Sequence, residues 1–201
     1  MEMETEKKPT KDRILESALT LFAEKGYDGV GVDLIAENAG IKGPSLYKHF
    51  KGKEDILDAL IDRAVRYYQT NFGSAQNPGK TPESMDELIA ISMAKIRFTL
   101  HDEMIKRVRR LLTIEQFRSR KISLLTTKYN IDIVQSIYKQ IFTKMIENGI
   151  MRAGNPEMLA IQFASPVSLF IQQIEREPEH EQEILQRIEA YFHFFAEEHK
   201  A

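Results

Sequence analysis

Apolar residues recur at helical spacing along almost the whole chain, and this periodicity constrains the fold more than any other feature of the sequence. In the first predicted helix, over about 11–25, Ile14, Ala18, Leu21 and Phe22 fall at positions i, i+4, i+7 and i+8. These positions lie on one face of a helix, so the side chains form a single apolar stripe. The same spacing in the segments that follow predicts an all-α protein.

Turn-forming residues divide the chain into about nine predicted helices, and Gly26 and Gly40 are the predicted stops of the first two. The 201 residues include only 10 Gly and 7 Pro, too few for a turn-rich all-β fold. Asn, Gly, Ser and Pro cluster over 71–82, and this loop signal separates an N-terminal part from the rest. Beyond the loop, periodicity predicts helices near 83–101, 103–117, 120–148, 156–176 and up to about 199.

Composition excludes several classes of protein. Apolar residues make up 42% of the chain and charged residues 29%, as in globular proteins that fold in water. There is no Cys, which excludes disulfide frameworks, cysteine–zinc sites and thiol catalysis. No apolar run reaches the roughly 18 residues of a membrane span, and the N-terminus lacks the apolar stretch of a signal peptide. We therefore expect a cytoplasmic protein with no membrane partner.

The net charge of −2 conceals an uneven distribution. Residues 42–53 include four Lys and no acidic residue, whereas residues 177–199 include seven Glu and a single Arg. One part of the chain is therefore suited to face a polyanion, and the other is not.

The segment around residue 40 has the pattern of a helix-turn-helix. Two short predicted helices meet at the turn Gly40-Ile41-Lys42-Gly43, and such a turn of three or four residues with Gly is typical of this motif. Leu46 and Phe50 lie four residues apart on the inward face of the second helix. Groups that suit phosphate face outward near the helix N-terminus, at Ser45, Tyr47, Lys48 and His49. The pattern also fits an ordinary corner between two helices with a solvated basic face.

Four short motifs carry a family resemblance: Lys25-Gly-Tyr27, Ile35-Ala36, Ala39-Gly40-Ile41, and Ser45-Leu-Tyr-Lys-His-Phe50 followed by Lys53-Glu54. With these motifs, the segment from about 10 to 60 resembles the N-terminal domain of TetR-type transcriptional repressors. The resemblance implies a three-helix DNA-binding domain, 1–52, followed by a helical ligand-binding and dimerisation domain, 53–201. It also implies a palindromic operator in double-stranded DNA, a homodimer and a small-molecule inducer.

The resemblance assigns roles to individual residues. Tyr47, His49 and Ser45 are expected to contact phosphates from the second helix of the motif, and Lys53 from the start of the next helix. The residues expected nearest the base edges are Lys42, Gly43, Pro44 and Lys48. Leu46 and Phe50 are expected in the core.

This chain departs from the family pattern at two places. Many relatives carry Thr or Ser where this chain has Val30 and Gly31, so a hydroxyl cap and a phosphate contact are lost. Many carry Lys-Gly where this chain has Gly43-Pro44, which removes a base-reading Lys and a backbone N–H. The operator sequence of a relative is therefore not transferable, and we hypothesise that Pro44 contacts a thymine methyl group.

The last two predicted helices are apolar on more than one face, which indicates a partner subunit. The resemblance implies a four-helix dimer bundle, although a helix pair buried within one subunit would show the same pattern. Pro166 should kink its helix unless its missing hydrogen bond is compensated. The predicted dimer residues are Ala160, Ala164, Val167, Ser168, Ile171, Ile188, Phe192 and Phe195.

The resemblance also implies a ligand cavity among the middle helices, for an unidentified small-molecule effector. Ordinary core packing also accounts for the apolar candidates, because pockets use only part of an apolar interior. The predicted lining residues are Phe98, His101, Leu112, Phe117, Tyr129, Tyr138, Phe142, Met145 and Phe163.

Three functional interpretations remain open from the sequence. The first is a ligand-responsive DNA-binding repressor, and the second is a ligand-binding or adaptor bundle that has lost DNA affinity. The third is an all-α enzyme, but no catalytic set and no metal-ligand spacing is present, so we predict no enzyme, metal or cofactor. In the first interpretation the protein is nucleoid-associated while bound to its operator.

Overall fold

A computed structural model describes residues 8–72 and 79–201, and within these ranges the chain is helical, as predicted. The β-type pairing within the described residues is one isolated antiparallel bridge between Met151 and Lys200. The predicted loop at 71–82 lies in large part outside the described ranges. None of the described helices is long and apolar enough to cross a membrane.

The chain divides into two compact units that do not follow the chain order. The first unit includes the chain up to Tyr68 together with Glu103–Ser123, and the second includes Gln69–Asp102 together with Leu124–Ala201. The predicted division into a DNA-binding domain, 1–52, and a ligand-binding domain, 53–201, is a functional one and stays a prediction.

The first unit carries the helix-turn-helix. Its helices are α1 (Thr10–Lys25), α2 (Val32–Asn38), α3 (Gly43–Leu46), most of α4 (Lys53–Phe72) and α6 (Glu103–Glu115). The apolar stripe of α1 is buried as predicted, with Ile14, Ala18 and Phe22 fully inaccessible. Both α2 and α6 pack against α1. This core fixes the position of the short helix α3.

Glycines in the left-handed region end the first two helices. Gly26 has φ +75°, and its N–H donates to the Phe22 carbonyl at 3.1 Å, as expected of the predicted helix stop. Gly40 has φ +64°, and its N–H donates to the Glu37 carbonyl at 2.9 Å. Only glycine adopts this conformation without strain, so both turns depend on it.

The second unit is built around an aromatic core. Its helices are α5 (Met85–His101), α8 (Ile133–Glu147), α9 (Pro156–Arg176) and α10 (Glu181–His199), with a 3-10 turn at Pro178–His180. Phe163 stacks on Phe192, with centroids 4.4 Å apart, and lies edge-on to Phe142 and Phe195 at 5.4 and 4.9 Å. These rings join α8, α9 and α10 at one centre.

One helix leading into the aromatic core contains a π turn. The helix α7 (Arg120–Thr127) continues through a π turn at Lys128–Asp132 into α8 without a break. Counted as one helix, this stretch gives nine helices in the described part of the chain. It matches the single helix predicted over 120–148.

The second unit supplies a replacement for the hydrogen bond that Pro166 cannot make. α9 is helical through Pro166, whose missing N–H leaves the Gln162 carbonyl without its helical donor. The Tyr191 hydroxyl on α10 donates to that carbonyl. This bond is the compensating contact that the sequence analysis required for an unbroken helix at Pro166.

Candidate nucleic-acid interface

The second helix of the motif is shorter than predicted. Helical geometry extends over Gly43–Leu46 rather than to Phe50, with Lys42 as the N-cap residue. The His49 N–H donates to the Leu46 carbonyl at 2.9 Å, three residues back, and this tighter bond ends the α-helix in a turn. Phe50 still closes on the Leu46 carbonyl at 3.0 Å, so the segment stays compact.

Two buried side chains hold this segment against the first unit. Leu46 is fully inaccessible and Phe50 is 3% exposed, as predicted for core residues. The Lys11 ammonium lies 5.5 Å from the centroid of the Phe50 ring. Because both anchors point inward, the residues between and beside them are directed toward solvent.

The outward surface consists of cations, aromatic rings and proline. Lys42, Pro44, Lys48 and His49 are exposed, and the Tyr47 side chain is 58% exposed. Gly43 and Ser45 are partly exposed. We call the seven residues from Lys42 to His49 other than Leu46 the recognition surface. Its ammonium, hydroxyl and imidazole groups can donate hydrogen bonds to phosphate oxygens.

Lys53 lies at the start of α4 with its ammonium held by Tyr27. Its Nζ donates to the Tyr27 carbonyl at 2.9 Å and lies 4.3 Å from the Tyr27 ring centroid. Partial burial, and secondarily the Glu54 carboxylate, raise the pKa of the Tyr27 hydroxyl. An ammonium has three donors, so Lys53 retains capacity for a phosphate, but its position is set by Tyr27.

One lysine pairs with two of the acidic residues that follow Lys53. The Lys121 Nζ lies 2.9 Å from a Glu54 oxygen and 2.7 Å from an Asp58 oxygen. The hydrogen bond to Asp58, ahead of the contact with Glu54, raises the pKa of Lys121. Charge balance of this kind reduces the repulsion that these carboxylates would exert on a nearby polyanion.

Arg13 positions the turn between the two motif helices, and sequence reasoning missed it. Its guanidinium on α1 donates to the carbonyl of Ala39 and, at 3.1 Å, to that of Gly40. These carbonyls belong to the end of α2, where no helical donor remains. Arg13 and Gly40 are 27 positions apart, so no local pattern marks the contact.

Comparisons with known proteins agree with this geometry. Residues 14–60 match the family model described as bacterial regulatory proteins, tetR family. The negative transcriptional regulator of the biofilm operon icaADBC, IcaR, from Staphylococcus epidermidis is 33% identical, and the alignment covers 48% of this chain and 68% of that protein. This chain belongs to the TetR family.

Further comparisons show that the likeness in fold extends over most of the chain. IcaR from Staphylococcus aureus strain Newman is 41% identical over 39% of this chain and 41% of its own length. The chain thus spans about two fifths of that relative. The SmeT–triclosan complex, SmeT being the repressor of a Stenotrophomonas maltophilia efflux pump, superimposes with TM-score 0.77, 19% identity, and 96% and 92% coverage of the two chains. MexZ from Pseudomonas aeruginosa superimposes with TM-score 0.70 and 20% sequence identity, and the match covers 92% of each chain.

The glycines of the recognition region differ in the room around them. A Cβ at Gly31, the N-cap position of α2, would meet no atom within 4 Å, so the hydroxyl residue common in the TetR family would fit there. A Cβ at Gly43 would lie 3.4 Å from the Asp33 carboxylate. Steric crowding therefore does not require glycine at position 31, although this residue leaves α2 without a side-chain cap.

Most of the residues predicted for the dimer face of this TetR-family chain are buried within the subunit. Six of the eight pack in or beside the aromatic core of the second unit. Ser168 and Ile171 are partly exposed. The six buried residues are Ala160, Ala164, Val167, Ile188, Phe192 and Phe195.

The predicted cavity residues are distributed over both units. Leu112 is buried in the first unit, and the same unit carries Phe117, which does not line a cavity because it is 91% exposed. His101 is exposed and lies 3.1 Å from the Glu181 carboxylate. Phe98 and Tyr129 are partly buried, with the Lys128 ammonium 5.4 Å from the Tyr129 ring. Close packing in the aromatic core includes Tyr138, Phe142, Met145 and Phe163.

Proposed function

We propose that this TetR-family transcriptional regulator is a repressor that binds a palindromic operator as a homodimer and is released by a small molecule. The observation that carries the proposal is the recognition surface. Its exposed Lys42, Tyr47, Lys48 and His49 are presented by a segment that Leu46 and Phe50 anchor in the core. Repression is supported by IcaR, a negative regulator, and by SmeT, a repressor, and comes to this chain as a proposal.

DNA recognition divides between two kinds of contact in this proposal. Tyr47, His49, Ser45 and the partly engaged Lys53 bind backbone phosphates, which position the protein without reading sequence. Lys42 and Lys48 donate to base edges in the major groove, where guanine offers two acceptors. Pro44 supplies apolar contact to a thymine methyl group. Such a site binds with strong salt dependence, since each phosphate contact releases counterions.

A dimer follows from the faces of α9 and α10 that remain exposed. Leu169 is 68% exposed, Phe194 62% and Met158 58%, which is unusual for large apolar side chains. We propose that these surfaces pair with the same surfaces of a second copy. A two-fold dimer presents two recognition surfaces, and successive major grooves require a separation of roughly 34–36 Å.

The effector acts by differential affinity. A ligand that binds one arrangement of the dimer more tightly than the operator-bound arrangement shifts the protein away from DNA. SmeT in complex with triclosan is one similar protein that holds a small molecule. We propose that this chain acts in the cytoplasm, at the nucleoid while bound to its operator.

Selection from random duplex DNA with the purified protein, at two salt concentrations, tests the proposal. We expect a palindromic site whose affinity falls steeply with salt. The double variant Lys42→Ala, Lys48→Ala serves as the comparison that lacks binding, because both lysines are exposed and neither belongs to the core. It should recover no motif while keeping the helical content of the parent. Recovery of no motif by the folded, dimeric parent would instead favour the ligand-binding or adaptor protein without DNA affinity.

A further inference from the structure

The turn that follows α6 in the first unit exposes apolar side chains beside arginines. Phe117 is 91% exposed and Ile114 is 43% exposed, which is unusual for large apolar side chains. Arg120 is exposed and forms no ion pair or hydrogen bond within the described part of the chain. The Arg118 side chain is 63% exposed, with one guanidinium nitrogen 3.4 Å from the Glu115 carboxylate. We call Ile114, Phe117, Arg118 and Arg120 the turn patch.

Buried contacts on the opposite face of α6 hold the turn patch in place. Val108, Leu111 and Glu115 are buried, and α6 packs against α1. After the turn, the Lys121 ammonium binds Glu54 and Asp58 near the start of α4. The polypeptide is therefore fixed on both sides of the turn, and the outward direction of the patch follows from this packing.

The turn patch continues the surface that we propose for DNA. The Lys53 ammonium donates to the Tyr27 carbonyl at 2.9 Å, and the Tyr27 N–H donates to the Glu115 carboxylate at 3.2 Å. The same Glu115 oxygen lies 3.4 Å from the Arg118 guanidinium. Three short contacts therefore connect Lys53 with Arg118. Because the phosphates of one strand recur about every 3.4 Å along the helix axis, a strand bound at Lys53 offers further phosphates nearby.

Charge favours DNA over a second copy of the chain as the occupant of this patch. Residues 116–123 include three cations and no acidic residue, and Lys121 alone among these cations is held by two carboxylates. A two-fold contact would bring the patch against itself, so Arg118 and Arg120 of both copies would repel one another. A phosphate backbone instead suits guanidinium groups, which bind phosphate oxygens in pairs.

We propose that the turn patch binds the backbone of double-stranded DNA next to the phosphate bound by Lys53. Arg118 and Arg120 bind phosphates, and the Phe117 ring packs against a deoxyribose between them. Arginine and phenylalanine side chains are used together in this way by proteins that contact the minor groove. This inference rests on the proposed function and extends its DNA contacts from the helix-turn-helix to the end of α6.

Titrations of the full chain at several salt concentrations test the inference. The probes are two duplexes of equal length, the selected operator and a duplex without that site, because backbone contacts do not read bases. Arg120→Ala, which breaks no contact within the described part of the subunit, should reduce the slope of log affinity against log salt by about 0.9 on both duplexes. Adding Arg118→Ala should reduce the slope by about 0.9 more. Phe117→Ala should weaken binding about three- to tenfold without changing the slope.

Two control variants separate a DNA contact from a general effect of charge or folding. Changing Arg118 and Arg120 to Lys keeps both charges and should keep the slope. Arg152→Ala removes an exposed arginine of the second unit and should leave both slope and affinity unchanged. All these side chains are exposed, so each variant should keep the melting temperature close to that of the parent.

The results distinguish this inference from the proposed function. A parent slope in the alanine variants on both duplexes overturns the inference, and so does an equal loss in Arg152→Ala. Dissociation of the dimer in the alanine variants, with the parent slope retained, would assign the patch to a contact between copies and also overturn it. If selection yields no palindrome but the slope falls as expected on the second duplex, the proposed function fails and the inference stands. If the folded parent binds neither duplex, both fail.

Discussion

The Glu115 carboxylate accepts a hydrogen bond from the Tyr27 backbone N–H at 3.2 Å, although 88 positions separate the two residues. Glu115 ends α6 and is 1% exposed, and Tyr27 follows the turn that ends α1. The Tyr27 carbonyl in turn holds the Lys53 ammonium. A continuous set of polar contacts therefore connects the end of α6 with the start of α4, beside the recognition surface.

Removal of the Glu115 carboxylate should destabilise the first unit. Glu115→Ala leaves the partly buried Tyr27 N–H without its acceptor, which costs about 1 kcal/mol. Urea unfolding measures this loss, and DNA affinity should fall with it because Tyr27 positions Lys53. Glu115→Gln keeps an acceptor and should be affected less. Equal stability of the alanine and parent proteins would show that water replaces the carboxylate.

Replacing the lysines of the recognition surface should change the salt dependence of DNA binding. Where Lys42 or Lys48 also neutralises a phosphate, its change to Ala should reduce the slope of log affinity against log salt by about 0.9. A lysine that contacts only a base edge should relax specificity at one operator position instead. Titrations on the selected site at several salt concentrations separate the two results. Lys144→Ala, in the second unit, is the control, and an equal effect there would remove the assignment.

A charge on the exposed apolar face of α9 should prevent dimerisation. Leu169→Glu replaces a side chain whose burial contributes about 1.5–3 kcal/mol per subunit, so the dimer should dissociate at least tenfold more readily. Analytical ultracentrifugation measures the change. Leu124→Glu is the matched control, because Leu124 is a 53% exposed leucine on α7. If both variants stay as dimeric as the parent, the interface lies elsewhere.

The free energy of unfolding should rise with pH through Lys95. Burial lowers its pKa in the folded chain below the ordinary 10.5 that applies when the chain unfolds. Between these two values the unfolded chain binds more protons, so alkaline pH favours the folded state. Lys95→Met removes this titration, so its difference in stability from the parent should change as pH rises toward 10.5. A difference from the parent that is constant between pH 7 and pH 10 would contradict this account.

Local signals made much of the first unit predictable. The glycine stops at Gly26 and Gly40 and the anchors Leu46 and Phe50 follow from nearest neighbours in the chain, and the structure agrees with each of them. The contacts of Arg13 and Glu115 were not predictable, because their partners lie 26 or more positions away. Sequence periodicity identifies a face but does not identify what covers it.

The dimer face shows the same limit in the second unit. Phe192 and Phe195 lie on one apolar face of α10, and Phe194 lies on another. Both faces carry phenylalanine, so the sequence indicated a partner subunit without deciding which rings turn inward. Packing decides it, since Phe192 and Phe195 complete the ring cluster around Phe163.

The π turn at Lys128–Asp132 has a consequence for aligning this chain with its relatives. Such a turn holds one residue more than an α-helical turn, so deleting one residue there would restore a regular helix. The π turn takes up the extra residue, so Ile137 and Ile141 would stay on the inward face of α8 after that deletion. Relatives with an uninterrupted helix should therefore show a one-residue gap at this point. An alignment without the gap would place their core residues out of register from here to the end of α8.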